Sequence, residues 1–208
     1  IVYMVDSTGS MSGLIQAAKE QCINISNELK SKLPNYQFQF GAIFYRDPID
    51  SPSDRNDIIL LSNDVNSLRG KIGYINATGG GDGPEDWVGA YHIALCQMNW
   101  RRGTRLIIHI ADAPAHGHTF CNCNNHEEED SRLAPLIRDC ASSGIKIVGM
   151  PIGNYPLNSF QQCQIIYNGV PNPQKLYQIQ PFNSGSSNIS SYFKTAVVQA
   201  AVCAAPKS

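Results

Sequence analysis

The sequence predicts a three-layer α/β domain with a doubly wound, mostly parallel sheet, Rossmann-like in its layering. Short apolar runs alternate with stretches of helical periodicity from one end to the other, the pattern of strand–helix–strand units. The runs at 1–5, 106–111 and 145–152 are apolar almost throughout, as strands covered on both faces must be. A chain of 208 residues is long enough for one domain with a sizeable core.

The run at 1–5 reads as the first buried strand. Leu14, Ile15, Ala18, Cys22, Ile25, Leu29 and Leu33 then fall on one helical face, and Pro34 closes that helix. Residues 37–45 form a strand with Phe38, Phe40, Ala42 and Phe44 on one side. A polar loop at 46–56 leads to a short edge strand at 58–61, and Val65, Leu68 and Ile72 mark a brief helix. The stretch TGGGDGPED, 78–86, is too rich in glycine to be regular structure. Trp87, Val88, Tyr91, Leu95 and Met98 define the next helix, and 106–111 the most apolar strand. A long loop rich in His, Cys and Asn follows. A helix at 133–141 has Pro135 in its first turn and Gly144 past its end. Residues 145–152 are a strand, 158–167 a helix and 175–179 a last strand. A closing helix carries Ile189, Tyr192, Phe193, Ala196, Val197 and Ala200.

In such folds ligands bind at the carboxyl ends of strands, near the topological switch point. Three strand-end loops carry clustered oxygen donors: DSTGS at 6–10, TGGGDGPED at 78–86 and ADAP at 111–114. Asp6, Thr8 and Ser10 alternate, so an extended turn points all three in one direction. Asp82 and Asp112 complete an all-oxygen set, which suits hard cations such as Mg²⁺, Ca²⁺ and Mn²⁺. Taken alone, DSTGS reads equally well as a helix cap; three such loops together favour a metal site. Glu85 and Asp86 read as acidic residues in a first helical turn, where the helix dipole favours them.

The chain resembles the von Willebrand factor A domain family. Asp6-x-Thr8-x-Ser10 after the first strand is similar to that family's metal-ion-dependent adhesion site, usually Asp-x-Ser-x-Ser. The resemblance runs across nearly the whole chain. The branch that includes domains attached to alpha-type kinases is similar in DSTGSM, in FYRD (44–47), in GGGDGPED and in ADAPAHG (111–117). The resemblance implies Asp6, Thr8 and Ser10 as first-loop ligands and Asp112 as third-loop ligand, direct or through water. It also implies one divalent cation, Mg²⁺ first and Ca²⁺ or Mn²⁺ next, and a protein ligand whose acidic residue completes the metal shell. The sequence departs from the pattern in the second loop, which usually supplies a threonine. Asp82 stands at the matching position, with Thr78 as its rival. A third carboxylate would neutralise the ion more fully and weaken its pull on a partner's carboxylate.

The expected function is therefore divalent-cation-dependent protein binding or adhesion. The alternative is a structural assembly subunit, self-associating, whose metal stabilises loops. Enzyme readings fare worse. DSTGS lacks the aspartic protease spacing, since Gly9 is three residues after Asp6. Thr8 stands where dehalogenase-like phosphatases need a second aspartate, and Met11 where a nucleophile elbow needs serine. No Gly-Lys-Ser/Thr occurs for a Walker A loop. A Ser10–His116–Asp112 triad lacks an identifiable oxyanion hole. Metal-assisted hydrolysis would need His116 as its base, because no other candidate lies near; otherwise His116 lines the metal cleft or fixes its loop.

His116, His118, Cys121, Cys123 and His126 have ligand types that suit Zn²⁺, although their spacing matches no structural zinc module. Cys121, Cys123, Cys140 and Cys163 fall in or near loops and could instead form disulfides, while Cys22 and Cys96 read as small buried hydrophobes. Glycosylation sequons start at Asn24, Asn76 and Asn188. Charged residues make up only 16%, and with the loop cysteines and sequons this favours an extracellular or cell-surface setting while leaving a cytoplasmic one open. A net charge of −1 and the absence of a basic stripe argue against nucleic acid. No apolar run is long enough for a membrane span. Because the chain opens inside the apolar run IVYMV, it is expected to be a single domain, 1–208, cut from a longer protein.

Overall fold

A computed structural model describes residues 1–48, 55–121, 128–172, 175–181 and 189–205. In chain order the elements are β1 (Val2–Asp6), a 3₁₀ turn (Gly9–Met11), α1 (Ser12–Lys32), β2 (Phe40–Tyr45), β3 (Asn56–Ser62), α2 (Val65–Ile72), α3 (Trp87–Cys96), β4 (Arg105–Ala111), α4 (Glu128–Ser142), β5 (Ile145–Pro151), α5 (Leu157–Asn168), β6 (Tyr177–Ile179) and α6 (Ile189–Ala204). The six strands form one sheet in the order β3-β2-β1-β4-β5-β6. Every pairing is parallel except β2 with the edge strand β3. The direction of winding reverses between β1 and β4, so the loops after those two strands flank the switch point.

The alternation of side chains along the strands divides the core in two. Tyr3, Val5, Phe40, Ala42, Phe44, Ile108 and Ile110 pack on the face covered by α1, α2 and α6. Val2, Met4, Ile43, Tyr45 and Ile107 pack on the other, covered by α3, α4 and α5. The expected α/β architecture is thus present. No helix among the described residues is long and apolar enough to cross a membrane.

Several boundaries and three cysteines differ from expectation: β3 starts at Asn56 and β6 at Tyr177, and Cys96, expected as a small buried hydrophobe, is exposed. Strand β2 begins at Phe40 rather than at residue 37, because its ladder with β1 starts at Val2 opposite Gly41. Helix α4 includes Glu128, Glu129 and Asp130 in its first turn, where the dipole favours carboxylates, so Pro135 lies inside the helix. Pro135 is exposed, where water can satisfy the carbonyl its missing N–H would have bonded. Cys140 and Cys163 are free and fully buried, within α4 and α5. Burial pushes the Cys140 thiol up to about 12. They are packed as small hydrophobes, with Cys140 on the same helical face as Leu133 and Ile137.

Gly149 on β5 leaves room for Phe160, which lies against the His109 ring at a centroid distance of 4.9 Å. A Cβ at Gly149 would sit 2.4 Å from Phe160 Cδ1. Gly149→Ala is therefore expected to destabilise the domain by about 1–3 kcal/mol, read from the urea midpoint.

Candidate metal centre

The first-loop residues sit where β1 ends at the switch point. Asp6 is completely buried, and its Oδ1 accepts from the Thr8 N–H at 2.9 Å and from Thr8 Oγ1 at 2.7 Å. Thr8 Oγ1 is 3.5 Å from Ser10 Oγ. The chain stays extended at Thr8, with φ −69° and ψ 170°, before the 3₁₀ turn begins. That conformation is what gathers the alternating side chains on one side. Thr8 caps the turn by position but makes no side-chain cap bond, so the capping reading of this loop is not the geometry found.

The second Asp6 oxygen, Oδ2, is buried and accepts no hydrogen bond. The Asp112 carboxyl, from the loop after β4, lies within hydrogen-bonding reach of Asp6. Burial pushes Asp6 up to about 7 against the two Thr8 hydrogen bonds, and the charge of Asp112 adds to the rise. A fully buried carboxylate with one oxygen aimed at no donor, beside the half-buried Asp112, is a place that a cation would neutralise.

Thr8, Ser10, Asp82 and Asp112 line one cleft of about 410 Å³, together with Gly79, Gly80, Glu85 and Tyr155. Gly79 and Gly80 both have left-handed φ, 79° and 88°. A Cβ on Gly80 would come within 3.1 Å of Glu85 Oε1 and 3.2 Å of Thr8 Cγ2. The glycine run thus lets the second loop close over the first. Main-chain bonds hold the loops in register. Thr78 N–H donates to Ser7 O at 3.0 Å, Glu85 N–H to Pro114 O at 2.9 Å and Asp86 N–H to Arg46 O at 2.9 Å.

Of the sequence-predicted residues, Thr8, Ser10, Asp82 and Asp112 line this cleft, and Asp6 is hydrogen-bonded to Thr8 beside it. Thr78 does not line the cleft; it is exposed and tied to the first loop through its backbone. Asp86, expected within the first turn of α3, is instead its N-cap, its carboxylate accepting from Gly89 N–H. Glu85 differs: only 3% exposed, it lies before the helix and lines the cleft. Asp47, part of the FYRD motif and fully buried, was not singled out by spacing. Its carboxylate joins the Asp82 carboxylate and the His116 imidazole in a compact group. His116 itself is buried, with Nε2 4.0 Å from Asp82 Oδ1.

The zinc cluster drawn from the third loop is not assembled as such. Cys121 is disulfide-bonded and so offers no thiolate, and His118 is exposed. Cys123 and His126 lie outside the described residues. Asn24 and Asn76 are exposed, Asn24 within α1, while Asn188 lies outside the described residues.

An oxygen-lined cleft at the switch point of a doubly wound sheet defines a class of loop-site α/β binding domains. The sequence model of the von Willebrand factor A domain matches residues 1–141, and the chain belongs to that family. It is similar to the alpha-protein kinase vwkA of Dictyostelium discoideum, with 37% identity over 118 residues, 56% of this chain. The match spans only 19% of that kinase's length. Among solved structures, the pilus adhesin SpaC of Lactobacillus rhamnosus GG, in its open conformation, superposes with a TM-score of 0.62 at 13% identity, covering 95% of this chain and 29% of the adhesin. A second crystal form of SpaC gives 0.58 at 12% identity, covering 95% and 30%. At these identities the adhesin likeness establishes the fold.

Proposed function

We propose that this domain binds a protein partner through a divalent cation held by Asp6, Thr8, Ser10, Asp82 and Asp112. The observation that carries the reading is the buried Asp6 Oδ2, without a hydrogen bond and beside the Asp112 carboxyl. Hydroxyls of Thr8 and Ser10 add coordination without charge, and the all-oxygen set suits Mg²⁺, with Ca²⁺ and Mn²⁺ as weaker fits. The partner docks on the rim around Gly79, Gly80 and the exposed Tyr155. An acidic side chain from the partner would complete the shell. Three protein carboxylates reduce its pull, so shape contacts with the rim carry more of the affinity. The reading is non-catalytic, and the Cys121 disulfide fits an oxidising, extracellular setting.

Adding Mg²⁺ to chelator-treated protein is expected to raise the thermal midpoint. At 100 times Kd the gain is about 2.7 kcal/mol, or roughly 5–10 °C for a domain of this size. Partner capture in Mg²⁺ but not in chelator, lost in Asp6→Ala, is the functional test. Equal capture under both conditions would sink the cation-dependent reading. Calorimetry on Asp82→Thr checks the second loop: weaker cation binding is expected, and unchanged affinity would remove Asp82 from the ligand set.

A further inference from the structure

We propose that Asp47, Asp82 and His116 form a second cation site, beside the first and different in chemistry, that takes a first-row transition cation of the Zn²⁺ class. The three come from separate loops: Asp47 just past β2, Asp82 in the glycine-rich loop and His116 past β4. Each offers one ligand atom, and the three atoms lie within 4.8 Å of one another. Asp47 is completely buried and His116 is 2% exposed, so neither can swing away into water. The Asp82 N–H points at Asp47 Oδ2, 3.4 Å away, which ties the two loops at the site.

The spacing is close to that of ligands around an ion. In a tetrahedral shell, two atoms each about 2.1 Å from a metal stand roughly 3.4 Å apart. His116 Nε2 and Asp82 Oδ1 are 4.0 Å apart, too far for a direct hydrogen bond. All three ligand atoms lie within 4.8 Å of one another, so the loops need to close by no more than about 1.4 Å to seat the ion. An imidazole with two carboxylates is a set for Zn²⁺ or its neighbours, and one that Mg²⁺ and Ca²⁺ do not favour. Three protein ligands leave a fourth position for water.

The surrounding charge favours a cation as well. Asp6, Glu85, Asp86 and Asp112 all act on the Tyr45 hydroxyl as negative charges. Asp82 also lines the first cleft. A carboxylate has two oxygens, so Asp82 serves both sites, while Asp6 belongs to the first alone and His116 to the second alone.

The test counts bound zinc after dialysis in excess Mg²⁺, by mass spectrometry of the metal, in the wild type, Asp6→Asn, His116→Ala and Asp47→Asn. One equivalent is expected in the wild type and in Asp6→Asn, and none in the other two. No zinc in the wild type, or a full equivalent in His116→Ala, overturns the proposal. Because Asp47 is buried and its variant could fail to fold, the wild type is also loaded with Co²⁺. A paramagnetically shifted imidazole N–H signal that disappears in His116→Ala is expected, and a signal unchanged in that variant overturns the proposal. Zinc retained in Asp6→Asn separates this site from the Mg²⁺ site: if the Mg²⁺ response fails while His116-dependent zinc remains, only the first reading falls.

Discussion

Asp6→Asn is expected to abolish the cation response while leaving the cation-free domain at least as stable as the wild type. The asparagine keeps an oxygen to accept from the Thr8 N–H and hydroxyl, the two bonds Asp6 Oδ1 makes at 2.9 and 2.7 Å. It removes a charge that is fully buried beside Asp112. An uncompensated buried charge costs several kcal/mol even after relaxation, and the amide could donate to the neighbouring carboxylate. Without cation, therefore, the loss of charge offsets any loss of packing. With cation, a ligand has gone. Losing a mere outer-shell partner weakens metal affinity 10–100-fold, so the loss here should be at least about 100-fold. Differential scanning calorimetry with Mg²⁺ and with chelator reads both halves. A role confined to local hydrogen bonding, which the asparagine oxygen preserves, predicts no difference between variant and wild type in their response to Mg²⁺. That result would remove Asp6 from the metal site.

The legibility of the site follows the same logic. Asp6, Thr8 and Ser10 could be found in the sequence because their donors are local: alternate residues in one extended turn need no tertiary information to share a direction. Asp112 could be found because it follows the most apolar strand, and a parallel sheet places that strand's end beside Asp6. Asp47 and Glu85 could not be found that way. Each has a bland local reading, a loop acid and a first-turn acid, and their burial arises only when the loops after β2, before α3 and after β4 close on one another. Burial of a carboxylate is a tertiary fact. The same applies to Cys140 and Cys163: apolar spacing with Leu133 and Ile137 signals a buried face for the first, yet a cysteine near a loop equally signals a disulfide, and only packing decides. The start of α4 is not legible in the sequence, because its first turn is charged and carries no apolar periodicity.

His109 gives the second large effect, and it is one of acid stability. It points from β4 into the core, completely buried, between Tyr45, whose hydroxyl is 2.7 Å from Nε2, and Tyr91, whose hydroxyl is 3.1 Å from Nδ1. Trp87 packs edge-on at 4.2 Å. A neutral imidazole suits this cage: one nitrogen donates to a tyrosine oxygen and the other accepts from a hydroxyl. Burial holds the ring's pKa well below its usual value. The unfolded chain, with an ordinary histidine, therefore takes a proton near pH 6.5 while the folded chain does not. Below that pH the unfolded state binds more protons, and stability falls by about 1.4 kcal/mol per pH unit. Between pH 7 and 4.5 His109 alone should cost up to about 2.5 kcal/mol, the limit for a ring that stays neutral in the folded state. Asp6, Asp86 and Glu129 act in the opposite sense, since their raised pKa values let the folded state take protons first. The histidine is isolated by comparing urea unfolding of the wild type and His109→Gln at both pH values in the same buffer. The wild type should lose stability relative to the variant, by up to about 2.5 kcal/mol. Parallel pH dependence in the two proteins, or a His109 ring that titrates near 6.5 by NMR, would mean that water reaches the cage beneath the strand-end loops.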